Sequence, residues 1–151
     1  MKPLPYSLQL RQRGAATIEF ALVSAIGGLF IVLIGALELG RAMFYLNTAA
    51  EVTRLGARMA IVCDANDQSI KTSMSNMLKL LKPENIAVDY IPQGCASSAD
   101  SARNTCQSVS VSINPGVKVD LVIPFLPISF ELPAFTTTLP REAMNTTSCT
   151  A

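Results

Sequence analysis

The side chains able to do chemistry in this chain are few, and the usual pairings are missing. There is no histidine among the 151 residues. Ser–His and Cys–His nucleophile pairs and imidazole metal sites are therefore excluded within the chain. No Gly-rich phosphate loop, HExxH or CxxC occurs. There remain four cysteines, Cys63, Cys95, Cys106 and Cys149, and one carboxylate in an unusual place, Glu19. No catalytic residue, metal site or cofactor is expected. A site built from carboxylates alone is the one enzyme chemistry left open.

An even number of cysteines in an oxidising compartment fits two disulfides, with three possible pairings. Cys95 with Cys106 closes the one obvious loop, a polar Ser/Ala/Asp segment. That leaves Cys63 with Cys149, which would staple the end of a helix to the C-terminal tail. A four-thiolate metal site is the rival, and the lack of C-x₂₋₄-C pairs disfavours it.

Glu19 is unusual because it stands at the head of an apolar run. Residues 20–37, FALVSAIGGLFIVLIGAL, are eighteen residues without a charge, about the length needed to cross a bilayer as a helix. An acid at the start of such a run needs a partner. Before it, Lys2, Arg11 and Arg13 give residues 1–14 a charge of +3, while the rest carries nine basic and eleven acidic residues. Basic residues ahead of a span keep that side cytoplasmic, so residues from Arg41 onward are expected outside the cytoplasm. A cleaved secretory signal competes with this reading. The apolar run is longer than the roughly 7–15 residues of such signals, and no small-x-small site precedes Glu38. The net charge of +1 makes no case for nucleic acid.

The Gly14-to-Glu19 spacing resembles the processing signal of type IV prepilins. The larger block, RGAATIEFALV, the apolar span and ELGRAMFYLNTAAEVTRLGARMA, resembles the start of the TadE-like family. These are minor pilin-like (pseudopilin) proteins of Flp, or tight-adherence, pilus and secretion systems. The resemblance covers about the first sixty residues, and TTTLPREAM near the C-terminus is similar more loosely. It implies cleavage between Gly14 and Ala15 by a prepilin peptidase. Glu19 and Phe20 would serve recognition and assembly, with Glu19 meeting the N-terminal amine of a neighbouring subunit. The implied partners are that peptidase, other pilin-like subunits, the inner-membrane pilus platform and the lipid bilayer. The implied location is the bacterial inner membrane, single-pass, with the N-terminus cytoplasmic and the C-terminal domain periplasmic.

The elements that must position these residues can be read from periodicity. Residues 1–14 read as a disordered basic leader. A proline-free helix is expected over 15–62, crossing the membrane over 15–39. Its extension over 40–62 is amphipathic, with Phe44, Leu55, Met59 and Val62 at helical steps. Ile70, Met74, Met77, Leu78 and Leu81 predict a second helix, stopped by Lys82-Pro83. Ile86, Val88 and Tyr90 alternate as a strand, residues 95–106 read as an exposed loop, and Val109, Val111 and Ile113 alternate as the clearest strand. Asn114-Pro115-Gly116 predicts a type II turn returning Val117, Val119, Leu121 and Ile123 as its partner. Pro124, Pro127 and Pro133 break the next segment, with Phe125, Ile128, Phe130 and Leu132 on it. Residues 135–139 make a last, Thr-rich strand. The expected fold is α+β: a long N-terminal helix, a second helix and an antiparallel sheet of three or four strands, in a domain over 63–151. Small residues along the span, Ala21, Ala25, Gly28, Ala36 and Gly40 among them, permit close helix contact in lipid or are ordinary membrane-helix composition. Two other function classes share most of these features: an unprocessed single-span envelope protein and a tethered periplasmic enzyme or sensor.

Overall fold

The computed structural model describes residues 7–123, 126–142, 144 and 149, with side chains from Gly14 onward. Helix α1 runs Ser7–Val62. No proline lies between Pro5 and Pro83, and the leader's Leu, Gln and Arg are good helix formers. The helix therefore begins at Ser7 rather than at Ala15, and the expectation of disorder over 1–14 is corrected from Ser7 on. The chain forms two compact units, Met1–Gly40 and Arg41–Ala151. In the first, the described side chains are almost all exposed.

In the second unit, residues 41–62 of α1 bury one face: Ala49, Val52, Thr53, Gly56, Ala57, Ala60 and Ile61. These recur at three- and four-residue steps, so they form one stripe. The stripe is made of small residues, not of the bulky set expected. Phe44 is 62% exposed, and Leu55, Met59 and Val62 are half-buried at its margin. One reason shows at Gly56, where an added Cβ would run into the Met74 thioether, so the Met74 side chain packs on the bare backbone of α1.

That neighbour is α2, Gln68–Met77, which starts at Asp67, whose side chain accepts from the Ser69 N–H at 2.8 Å. Ile70 and Met74 are fully buried. The helix stops sooner than expected. Leu78 turns to extended backbone, a turn closes with the Leu81 N–H donating to the Leu78 carbonyl, and Met77 is left exposed. Leu78 and Leu81 still reach the core, from a turn instead of a helix face.

Strands β1 (Ile86–Ile91), β2 (Ser108–Ile113) and β5 (Thr136–Pro140) form an antiparallel sheet in the order β1-β2-β5. Its register sets Val88 opposite Val111, Tyr90 opposite Val109, and Val109 opposite Leu139. The apolar face of β2 is wholly buried, and its serines face outward, as period-two alternation requires. Between β1 and β2, α3 (Ala99–Thr105) occupies part of the stretch expected as loop. Ser98 caps it by accepting from the Ser101 N–H, and Ala102 is buried under it.

Asn114-Pro115-Gly116 does form a turn, with Gly116 at φ +100°, a conformation glycine adopts freely. It does not make a β2–β3 hairpin. Both edges of β2 are already occupied by β1 and β5. Strand β3 (Lys118–Ile123) instead pairs with β4 (Leu126–Glu131) as a separate two-stranded ribbon. Pro127 therefore lies within a strand, opposite Val122. In a two-stranded ribbon every strand is an edge, and a missing N–H is tolerated there. Pro124 and Phe125 lie outside the described residues. The α+β class holds, with the strands divided between two sheets.

Candidate assembly site

From Gly14 to Leu33 every side chain on α1 is exposed. Glu19 lies between Ile18, 71% exposed, and Phe20, 75% exposed. At 100° per residue it shares its face with Ala15 and Ala16 one turn back and with Leu22 and Val23 one turn on. Among the described residues Glu19 has no ion-pair partner. Gly14, Gly27, Gly28, Gly35 and Gly40 would each accept a Cβ with nothing within 4 Å. Packing among the described residues therefore does not require these glycines, in contrast to Gly56.

The four cysteines pair as Cys63 with Cys149 and Cys95 with Cys106. The first bridge belongs to a larger fastening at the end of α1. The last carbonyls of a helix lack internal partners, and here the Ile61 carbonyl accepts from the Glu142 and Met144 N–H groups at 3.2 and 3.3 Å. Met144 is fully buried. The Arg103 guanidinium, on α3, donates to the Met144 carbonyl at 2.8 Å and to Asp64 at 2.6 Å. Asp64 and Asp100 hold the Arg103 pKa above its ordinary value, chiefly through the Asp64 hydrogen bond. The end of the stretch TTTLPREAM thus acts here through the Glu142 and Met144 backbone and the Met144 side chain. Arg141 contributes its N–H to the Gln107 carbonyl at 3.0 Å, and Glu142 is exposed. Thr137 reaches Thr53 of α1, Oγ1 to Oγ1, at 3.4 Å.

Thr53, Gly56 and Arg103 hold the fold together and are not singled out by the sequence. The first two carry a signal, since Ala49, Thr53 and Ala57, and Gly56 and Ala60, are small residues at four-residue spacing. Arg103 carries none for its role at the end of α1, because the partners there, Asp64 and Met144, are 39 and 41 residues away.

Two shallow clefts border β1. One is lined by Asn66, Asp67, Lys71 and Tyr90, the other by Asp89, Gln93 and Ser97. Each holds a single carboxylate, and the Asp67 carboxylate already caps α2, so neither offers paired acids for acid–base chemistry. No group of three metal-ligating side chains occurs among the described residues. The Tyr90 hydroxyl accepts from the Asn66 N–H at 2.9 Å, which holds Asn66 at φ 63°. Burial pushes the Tyr90 pKa up from 10.0. The unfolded chain then loses this proton at lower pH than the folded one, so stability from Tyr90 is complete below pH 10 and falls as pH rises through the folded value. Tyr90→Phe is expected to flatten that alkaline decline. It is also expected to cost about 1 kcal/mol at neutral pH, from the orphaned Asn66 N–H. Urea melts of both proteins at neutral pH and above pH 10 check this, and an equal alkaline decline in both refutes it.

Residues 14–58 match the family model described as TadE-like protein. This part of the chain is similar to the TadE-like family. The family is a structural, pilus-associated one not known for enzyme activity, which links the protein to Tad/Flp pilus systems. The TadE-like segment takes in the apolar run and most of the small-residue stripe, and ends before Cys63. The sheets, both disulfides and α3 lie beyond it. No curated protein and no solved structure matches the chain. The helix carrying the TadE-like segment is long and apolar enough to cross a membrane, and none of its most apolar stretch is buried within the protein. That fits a single-pass membrane protein with pilin-like partners.

Proposed function

We propose that this protein is a minor pilin-like (pseudopilin) subunit that supports assembly of a Flp-type pilus or secretion apparatus. A prepilin peptidase cuts between Gly14 and Ala15. The new amine at Ala15 and the carboxylate of Glu19 on a neighbouring subunit then pair in the membrane and set the register between helices. The desolvation cost of a lone carboxylate in lipid makes that pairing selective for register. The basic leader stays in the cytoplasm, and the sheet domain lies across the inner membrane, in a compartment oxidising enough for two disulfides. The observation that carries the reading is that the family match begins at Gly14 itself, with Glu19 five residues later on an exposed apolar helix. The glycines of that helix, which internal packing does not need, suit close contact with other subunits.

One observation favours the alternative, an unprocessed single-span envelope protein acting as a structural or interaction module. Gly14 lies within a helix already running from Ser7, and a peptidase needs extended backbone at the bond it cuts. Glycine is where unwinding a helix costs least, so the two observations can be reconciled at this residue. Intact mass and N-terminal sequencing of membrane-extracted protein, with and without the cognate prepilin peptidase, decide between them. The pilin-like reading expects Ala15 as first residue only when the peptidase is present. A retained leader beside an active peptidase establishes the alternative.

A further inference from the structure

The three-stranded sheet has two edge strands, β1 and β5. Which backbone groups of β1 face its free side follows from two hydrogen bonds at its ends. The Asn114 N–H donates to the Asn85 carbonyl at 2.8 Å, and the Gln107 N–H donates to the Ile91 carbonyl at 2.7 Å. Backbone direction alternates along a strand, so Asn85, Ala87, Asp89 and Ile91 turn their backbone groups toward β2. Ile86, Val88 and Tyr90 turn theirs away from it. The Ile86 N–H returns to the Pro83 carbonyl. The N–H and C=O groups of Val88 and Tyr90 have no partner among the described residues.

The two clefts that border β1 meet at this edge. Val88 and Tyr90 line both, and no residue of β2 lines either. Space beside the strand therefore begins where its unpaired groups are. Ile86 is buried and lines neither cleft, so the open stretch runs from Val88 to Tyr90. Asp89, between them, takes the opposite face of the sheet. It stands opposite Ser110, which stands opposite Thr138, so its row across the sheet holds no other charge. The Asp89 side chain is exposed and has no ion-pair partner among the described residues.

We propose that the Val88–Tyr90 edge accepts an extended segment of another protein as a fourth strand, with a basic residue of that segment beside Asp89. Main-chain donors and acceptors at strand spacing are matched by extended backbone, which fixes the class of partner. The carboxylate adds a side-chain preference, because opposite charges on neighbouring strands attract. A second copy of this chain is disfavoured by register. Two β1 edges paired antiparallel about a two-fold axis can match Val88 with Val88, Val88 with Tyr90, or Tyr90 with Tyr90. Asp89 then faces Ala87, Asp89 or Ile91 of the copy, and in no register a base. The one charge on the edge thus admits a foreign strand and works against self-pairing. The inference goes beyond the pilin-like reading and holds whether or not the chain is cut after Gly14.

Amide hydrogen exchange of the full chain in detergent micelles reads this edge directly. In the free protein the Val88 and Tyr90 amides are expected to exchange at least about tenfold faster than those of Ala87 and Asp89, which donate to β2. The probes are synthetic peptides of about eight residues, with valine at alternate positions and lysine, serine or glutamate at the central position that comes beside Asp89. The lysine peptide in excess is expected to slow the Val88 and Tyr90 amides by at least about tenfold, and the glutamate peptide by less than about twofold. Asp89→Lys is expected to reverse that order, which a purely structural Asp89 would not do. Val88→Pro removes an outward donor and leaves the β2 ladder intact, so it should abolish the response while the Ala87 and Asp89 amides stay protected. Should Val88→Pro fail to fold, the reversal in Asp89→Lys carries the test alone. Val88 and Tyr90 amides already as slow as that of Ala87 in dilute free protein mean that the chain covers its own edge, and overturn the proposal. Slowing that appears only as protein concentration rises assigns the edge to a second copy, and overturns it too. No slowing with any of the three peptides, or equal slowing with all three, has the same consequence.

Discussion

Replacing Cys63 and Cys149 together by serine is expected to lower the stability of the second unit by about 4–5 kcal/mol, against about 3 kcal/mol for Cys95 with Cys106. The difference comes from loop length. The first bridge joins residues 86 apart in sequence and the second residues 11 apart, and a longer closed loop removes more conformational freedom from the unfolded chain. The native side adds to the same ranking. The Cys63 bridge fastens the segment whose Glu142 and Met144 N–H groups satisfy the Ile61 carbonyl and whose Met144 side chain is fully buried. Losing the bridge frees that segment to fray, and the end of α1 with it. A domain of this size has a total stability of only about 5–15 kcal/mol, so the double variant is close to the threshold of folding. Urea-dependent proteolysis of the full chain in detergent measures the change, with cleavage sites mapped by mass spectrometry. A smaller loss for the Cys63/Cys149 pair than for the Cys95/Cys106 pair would contradict this account, as would four free thiols in protein isolated under oxidising conditions.

The second large effect is expected at Gly56. A Cβ there meets the Met74 sulfur, with the Met74 Cε and Cγ at 3.1 and 3.2 Å. Met74 is fully buried, so its side chain has little room to retreat even though thioethers are flexible. Gly56→Ala gains about 1 kcal/mol of helix propensity and loses about 1–3 kcal/mol to overpacking, for a small net loss. Gly56→Leu keeps the propensity gain but must push α2 off the helix, and a loss of at least about 3 kcal/mol is expected. The cause can be isolated with a cycle. Met74→Ala alone leaves a cavity and costs about 2–5 kcal/mol. Combined with Gly56→Leu, the new side chain fills part of that space, so the double variant should be more stable than the sum of the single losses by about 1–3 kcal/mol. Additive losses would mean that Gly56 and Met74 do not press on one another. A destabilised Gly28→Leu in the same assay would remove the distinction drawn between the two halves of α1, because nothing among the described residues lies within 4 Å of a Cβ at Gly28.

Much of the architecture is legible in the residues because it depends on local periodicity. The charge-free run 20–37 and the absence of proline up to Pro83 dictate a long helix. Strict alternation over 108–113 dictates β2, and its faces come out as the alternation demands. The Thr-rich stretch before Pro140 dictates β5. The TadE-like resemblance rests on the same N-terminal block that the family match covers. The departures from expectation have a common origin in tertiary contacts. On α1, bulk does not mean burial. The buried face is the small one, and at Gly56 the space a side chain would take is filled by Met74 of α2. After Pro115, adjacency in sequence does not mean strand pairing. There β2 already has two partners, one of them drawn from 23 or more residues further on.

By itself, then, the sequence determined a long apolar helix with Glu19 at the head of its charge-free run, a chain without histidine, and the local identity of most elements. These come from composition, spacing and period, which each residue carries wherever it is placed. The tertiary structure alone decided which strands pair, that Gly56 is a contact point, and that Arg103, Asp64 and Met144 lock the end of α1. It also decided that the Arg41 guanidinium donates to the Asp120 carbonyl of β3. Each of these joins residues far apart in sequence, and such pairings are chosen by competition among edges and surfaces that become available only once the chain has folded.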